Sequence, residues 1–199
     1  MIDEEIIRKA IDKDKSSFKI IFNAYKLKVY RTAYLILKDK QNAEDAVQET
    51  FLQVHLQIHK LTNSKAFDVW LYRITVNTCY ALIRKLKKFD IIPMDDQIEG
   101  RISCDEADFQ IPDHIIIKQE FQNLIMECIY SLPVKCRIAL TLFYFNNLSI
   151  KEIAKIEMCT ENTIKSRLFY GKKILKERLI NEHTDIIDYN YGGVICESR

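Results

Sequence analysis

Four glycines and three prolines are all that punctuate 199 residues, and this scarcity decides the fold class. An all-β chain needs a turn roughly every 8–12 residues, most of them built on those two residue types. Long helices need far fewer. Apolar residues duly recur at the helical spacing i, i+3, i+4, i+7. Phe18, Ile21, Phe22, Tyr25, Val29, Ala33 and Ile36 form one stripe. Ala43, Ala46, Val47, Phe51, Val54 and Ile58 form a second, and Phe67, Trp70, Leu71, Ile74, Thr78 and Leu82 a third. Polar breaks at Lys38–Asn42 and Leu61–Ser64 separate them, and a short segment, Glu4–Ile11, precedes them. The expectation is an all-α chain whose first half is a small helical bundle.

Charge divides the chain. Residues 1–88 carry 17 Lys+Arg against 10 Asp+Glu, net +7; residues 89–118 carry 2 against 8, net −6; residues 119–199 carry 11 against 10, net +1. The acidic stretch, from about Phe89 to Pro112, contains Pro93, Gly100 and Pro112 and holds no helical period, which marks a linker between two domains. Beyond it, helices are expected near 114–130, 134–145, 149–156 and 160–181, with a break at Ser131-Leu132-Pro133. Ser149-Ile150-Lys151-Glu152 has the form of a capping box, and Thr160 suits the N-cap of the next helix. The organisation expected is a helical domain at 1–88, an acidic linker at 89–113, a four-helix domain with a helix-turn-helix at 114–182, and a tail at 183–199.

Several functions are disfavoured at once. No run approaches the ~18 apolar residues that span a bilayer, and Met1-Ile2-Asp3-Glu4-Glu5 is no secretory signal, so a cytoplasmic protein without membrane insertion is expected. Six cysteines occur with no C-x2-C spacing, as suits reduced thiols in a core. His55 and His59 have the spacing of a two-histidine metal face, but Leu56 stands where a metalloprotease helix needs glutamate, and they read as surface histidines. No metal, no cofactor and no catalytic residue is expected: the chain shows no phosphate-cradling glycine loop, nucleophile elbow or triad.

Two helices carry a second, polar pattern. In the last, Ile164, Leu168, Gly171, Leu175 and Leu179 share one narrow apolar face, while Asn162, Ser166, Phe169 and Lys173 lie opposite, flanked by Lys165 and Tyr170. A phenylalanine centred on the outward face of a basic helix suits a thymine methyl in the major groove, beside Lys165 and Ser166 on base edges or phosphate. In the third helix, Arg73, Asn77, Tyr80, Arg84 and Lys87 follow one another at spacings of 4, 3, 4 and 3, along one face. Cations for phosphates, a ring for stacking and an amide for a base edge suit unpaired DNA.

Four motifs, Ala43-Glu44-Asp45-Ala46-Val47-Gln48-Glu49-Thr50-Phe51, Trp70-Leu71-Tyr72-Arg73-Ile74-Thr75-Val76-Asn77, Leu148-Ser149-Ile150-Lys151-Glu152-Ile153-Ala154 and Asn162-Thr163-Ile164-Lys165-Ser166-Arg167-Leu168, occur in this order across the acidic linker. Together they resemble the small two-domain, extracytoplasmic-function sigma factors of bacterial RNA polymerase. The resemblance implies that Glu44, Asp45, Gln48, Glu49 and Phe51 meet the polymerase clamp coiled coil, and that the second domain sits on the flap. It implies that Ser64, in the base-capturing loop Leu61–Phe67, and Trp70 join Arg73, Asn77, Tyr80, Arg84 and Lys87 on the melted −10 element. Thr160, Asn162, Thr163, Lys165, Ser166, Arg167, Phe169, Tyr170 and Lys173 would meet the −35 element. It implies too that the linker lies in the RNA exit path, where its negative charge stands in for RNA. The family further implies an anti-sigma partner, often membrane-bound. The chain departs from the pattern at Val76, where many members have Arg, at Ala81, at Glu157-Met158, where an apolar residue and Gly are usual, and at Tyr170-Gly171. The alternative reading is a stand-alone helix-turn-helix regulator dimerising on a palindrome.

Overall fold

The computed structural model describes residues 3–89 and 124–191, with side chains over 3–86 and 124–180. Short polar residues start the helices. Asp3 accepts from Glu5 N (3.0 Å) to open α1 (Glu4–Ile11), and Asp14 accepts from Ser17 N (2.8 Å) to open α2 (Lys15–Leu37). Asp39 accepts from Asn42 N (2.7 Å) to open α3 (Lys40–Gln57). Each side-chain oxygen satisfies a donor that the first turn leaves bare. Lys13 and Lys38 adopt left-handed φ of 67° and 65°, reversing the chain after α1 and α2. Two single 3-10 turns, Ile58–Lys60 and Ser64–Ala66, lead into α4 (Phe67–Phe89).

The second half holds α5 (residues 124–130), α6 (Val134–Leu140), α7 (Ile150–Glu157) and α8 (Glu161–Tyr191). A π-helical turn, Thr141–Phe145, extends α6. The capping box is formed: Ser149 Oγ takes Glu152 N (3.3 Å), while Ser149 N donates to the Glu152 carboxylate (2.8 Å). Thr160 caps α8 through Thr163 N (3.2 Å). No strand occurs among the described residues, and the all-α, two-domain architecture stands. Helix α8 continues to Tyr191, past the end expected near 181 and into the segment read as tail. The linker beyond Phe89, the expected helical start at 114–123 and residues 192–199 lie outside the described residues.

All three apolar stripes of the first half turn inward. Ile7 and Ala10, Ile21, Tyr25 and Val29, Phe51 and Val54, and Phe67 and Leu71 build a core from α1, α2, α3 and α4. A second buried cluster was not foreseen. It joins Ala33 and Ile36 of α2, Ala43 and Ala46 of α3, and Tyr72, Val76 and Cys79 of α4 to Ile138, Leu142, Ile153, Ile156, Ile164 and Leu168 of the second domain. The two domains therefore share a core. Arg137, 4% exposed, pins them: Nη1 donates to the Tyr130 and Leu132 carbonyls (3.0 and 3.2 Å), and Nη2 to the Ile36 carbonyl at the end of α2 (2.9 Å). A cation suits these positions because carbonyls gather at helix C-termini. Asn146 Nδ2 adds a bond to Thr32 Oγ1 (2.9 Å).

Candidate nucleic-acid interface

Helices α7 and α8, with the turn Met158–Thr160 between them, form the helix-turn-helix. Met158 takes the left-handed conformation (φ 51°) that closes α7, a position where glycine costs nothing and methionine about 1–2 kcal/mol. Glu157 and Arg167 brace the two helices: Arg167 Nη1 donates to Glu157 Oε2 at 2.7 Å, with the side chains 18% and 3% exposed. Burial raises the Glu157 carboxyl above its usual range, while the bonds from Tyr80 and Arg167 pull the other way. Ile164, Leu168 and Gly171 face inward, as their spacing requires. Gly171 has a physical reason that sequence did not supply. A Cβ there would lie 2.7 Å from Leu140 Cδ1 and 3.4 Å from Cys136 Cβ, so its bare backbone lets α8 close on α6.

With that face buried, the opposite one is presented to solvent. Lys165, Ser166, Phe169 and Tyr170 line one shallow open depression, and Phe169 is 68% exposed. Asn162 and Lys173 are exposed on the same helix; Lys173 pairs with Glu177 at 3.8 Å. Thr160 and Thr163 are engaged with each other, their hydroxyls 2.9 Å apart. Arg167 differs from its expected neighbours, since its guanidinium is committed to Glu157.

Along α4, Arg73, Asn77 and Arg84 are exposed on one face and Tyr80 is half-buried. The Tyr80 hydroxyl donates to Glu157 Oε2 (3.1 Å), and burial, with this carboxylate beside it, raises its pKa. Trp70 is half-buried against Phe67, ring centroids 6.0 Å apart. Ser64 is buried and donates to Glu4 Oε2 (3.3 Å); Thr62, Asn63 and Lys65 are the exposed side chains of its loop. Lys87 lies in α4 with its side chain outside the described residues.

On α3, Glu44, Asp45, Gln48 and Glu49 form an exposed acidic and amide face. Phe51 points the other way, 4% exposed and edge-on to Phe22. The exposed apolar members of that face are Leu52 and Leu56, which the sequence reading did not assign to it. His55 and His59 are exposed, with His55 edge-on to Phe18 (5.0 Å). Among the described residues no three His, Cys, Asp or Glu side chains gather as metal ligands, and no helix is long and apolar enough to cross a membrane.

Comparison with known proteins meets this geometry in both halves. Residues 21–89 match the family model of Sigma-70 region 2, and residues 122–175 that of Sigma-70 region 4. The ECF RNA polymerase sigma factor SigW of Bacillus subtilis is 32% identical over 185 residues, 88% of this chain and 98% of that protein. SigM of the same organism is 34% identical over 156 residues, covering 78% and 91%. Among solved structures, CnrH in complex with the cytosolic domain of CnrY superposes with a TM-score of 0.66 at 15% identity, covering 90% of this chain and 98% of that one. The sigma factor RpoE in complex with the anti-sigma factor NepR from Bartonella quintana gives 0.63 at 21%, covering 83% and 98%; both show the fold. Two sigma regions in the right order, and near-complete coverage of a relative at this identity, place the chain in the extracytoplasmic-function sigma factors, alternative sigma factors that direct promoter-specific transcription.

Proposed function

We propose that this chain binds core RNA polymerase through the outer face of α3 and the second domain, reads the −35 element as duplex with α8, and reads the −10 element as single strand with α4. The observation that carries this is the recognition face of α8. Lys165, Ser166, Phe169 and Tyr170 stand together in solvent on a helix whose other side is buried. An exposed phenylalanine beside a lysine and a hydroxyl has no packing role there, and it suits a thymine methyl flanked by hydrogen-bonding edges. Arg73, Asn77, Tyr80 and Arg84 supply the phosphate, amide and stacking groups of a single-strand reader.

On α3, Glu44, Asp45, Gln48 and Glu49, followed along the helix by exposed Leu52 and Leu56, offer charged and apolar area together, as a protein interface does. Domains at 1–88 and 114–182 joined by the acidic linker 89–113 let one polymerase set the distance between the two readers. The protein works in the cytoplasm without chemistry of its own, and its partners are core polymerase with its clamp and flap, promoter DNA, and an anti-sigma factor held at the membrane.

Co-purification and transcription test the reading together. Core polymerase is expected to retain the parent chain and to lose Glu44→Lys/Glu49→Lys, and only the retained form is expected to initiate selectively. A chain that ignores core polymerase, yet binds a palindromic duplex as a dimer, would replace this reading with the stand-alone regulator.

A further inference from the structure

Helix α1 (Glu4–Ile11) lies outside the stretch that matches Sigma-70 region 2, which begins at residue 21. It nevertheless packs on both 3-10 turns, Ile58–Lys60 before the loop Leu61–Phe67 and Ser64–Ala66 within it. Ile7 and Ala10 share a buried core with Ile58, Leu61 and Phe67, so α1 seats the two ends of that loop. Between the ends the side chains divide. Thr62, Asn63 and Lys65 are exposed, whereas Ser64 is buried. Asn63 Oδ1 accepts from Lys65 N (3.0 Å), and Ala66 N donates to the Asn63 carbonyl (3.0 Å), which closes the turn. The Ser64 hydroxyl crosses to α1 and donates to Glu4 Oε2 (3.3 Å). The same oxygen lies 3.6 Å from Arg8 Nη2 on the side away from the loop's own bonds. A carboxylate 60 residues earlier in the chain thus holds the middle of the loop from behind.

We propose that Glu4 is a positioning residue for the capture of an extruded base: by holding Ser64 inward it fixes the outward set of Thr62, Asn63 and Lys65, and α1 thereby takes part in −10 selectivity. Glu4 acts in this way only if Leu61–Phe67 is the base-capturing loop. An extruded base gives up its stacking, and a pocket returns that energy only when its groups are already in place. A loop has few internal bonds to keep them there, so the placement comes from the scaffold beneath. A buried hydroxyl that lost its acceptor would turn toward water, because leaving it unsatisfied is costly, and the turn that carries Asn63 and Lys65 would move with it. Ser64 accordingly works behind the pocket, which suits its burial. Thr62, the Asn63 amide and Lys65 are the groups that meet base edge and phosphate.

Selection of initiating templates from a randomised promoter library, by the full chain with core polymerase, tests this. Asn63→Ala removes the amide and should relax one position of the downstream element. Glu4→Ala should relax the same position, with selectivity there falling about 3- to 10-fold, the effect of one hydrogen bond. The upstream element and retention by core polymerase should be unchanged. Glu4→Gln keeps an acceptor and should restore most of the selectivity. Arg8→Ala removes the ion pair but keeps the carboxylate, and should match the parent. Adding Glu4→Ala to Asn63→Ala should relax that position no further, because the first acts through the second. A Glu4→Ala profile identical to the parent's would overturn the role of Glu4. So would equal losses at both elements, or equal losses from Ala and Gln, which would make Glu4 a residue of general stability. A downstream element that Asn63→Ala leaves intact would remove the loop as a base reader, and the role of Glu4 with it.

Discussion

Arg137→Met is the perturbation whose size the structure fixes best. The guanidinium is buried, pairs with no carboxylate among the described residues, and donates to three carbonyls, two within its own domain and one across to Ile36. Burial brings its pKa down to about 10, which leaves it cationic at neutral pH. Hydrogen bonds from a charged donor contribute about 1.5–3 kcal/mol each, about 5–9 kcal/mol for three. Desolvating the cation takes back several kcal/mol, and Nε has no partner among the described residues. The net loss for methionine, which fills the same space, is about 3 kcal/mol. Urea unfolding measures it by far-UV circular dichroism and by fluorescence of Trp70, the one tryptophan, which reports the first domain. The two probes should coincide in the parent, because the domains share a core, and separate in the variant, because its cross-domain bond is gone. Lysine should rescue little, since one ammonium cannot reach acceptors on both sides. A variant within about 1 kcal/mol of the parent, with coincident probes, would refute the pin.

Lys38 ends α2 beside this pin, and burial followed by the nearby Arg137 charge lowers its pKa from 10.5 to about 8. The folded chain then holds this proton less tightly than the unfolded chain, so stability should rise as pH climbs from about 8 toward 10. Lys38→Met should flatten that rise in denaturation curves; Tyr25 and Tyr80, raised by burial, act oppositely above pH 10. Gly171→Val places carbon against Leu140 and should destabilise the second domain by about 2–4 kcal/mol, a loss that Leu140→Ala partly relieves in a double-mutant cycle. Met158→Gly should stabilise the turn by about 1 kcal/mol in thermal unfolding, because it removes left-handed strain.

The helices were legible because their signals are local. The apolar period, the Ser149–Glu152 box and the Thr160 cap each lie within one or two turns, and each appears in the structure. The exposed face of α8 was legible for the same reason: an aromatic opposite a buried stripe is visible on a helical wheel. Contacts across the linker were not. Tyr72, Val76 and Cys79 make a second stripe on α4, but its partner lies beyond an acidic segment and no local rule pairs them. Glu157 read as an oddity of the turn, although its meaning depends on Tyr80, far away in sequence. Phe51 and Ser64 were assigned to surfaces by motif; one fills the core and the other is a buried hydroxyl. Leu52 and Leu56 were discernible as the i+4 and i+8 neighbours of Gln48, had the face rather than the motif been followed.

Selection from a randomised promoter library with core polymerase tests the central claim most directly. The account predicts transcripts from templates sharing two short elements at one fixed spacing. Phe169→Ala should relax only the upstream element, and Asn77→Ala only the downstream one. Enrichment of a single element or a palindrome, or both substitutions acting on the same element, would contradict the claim that one chain reads two separate pieces of a promoter.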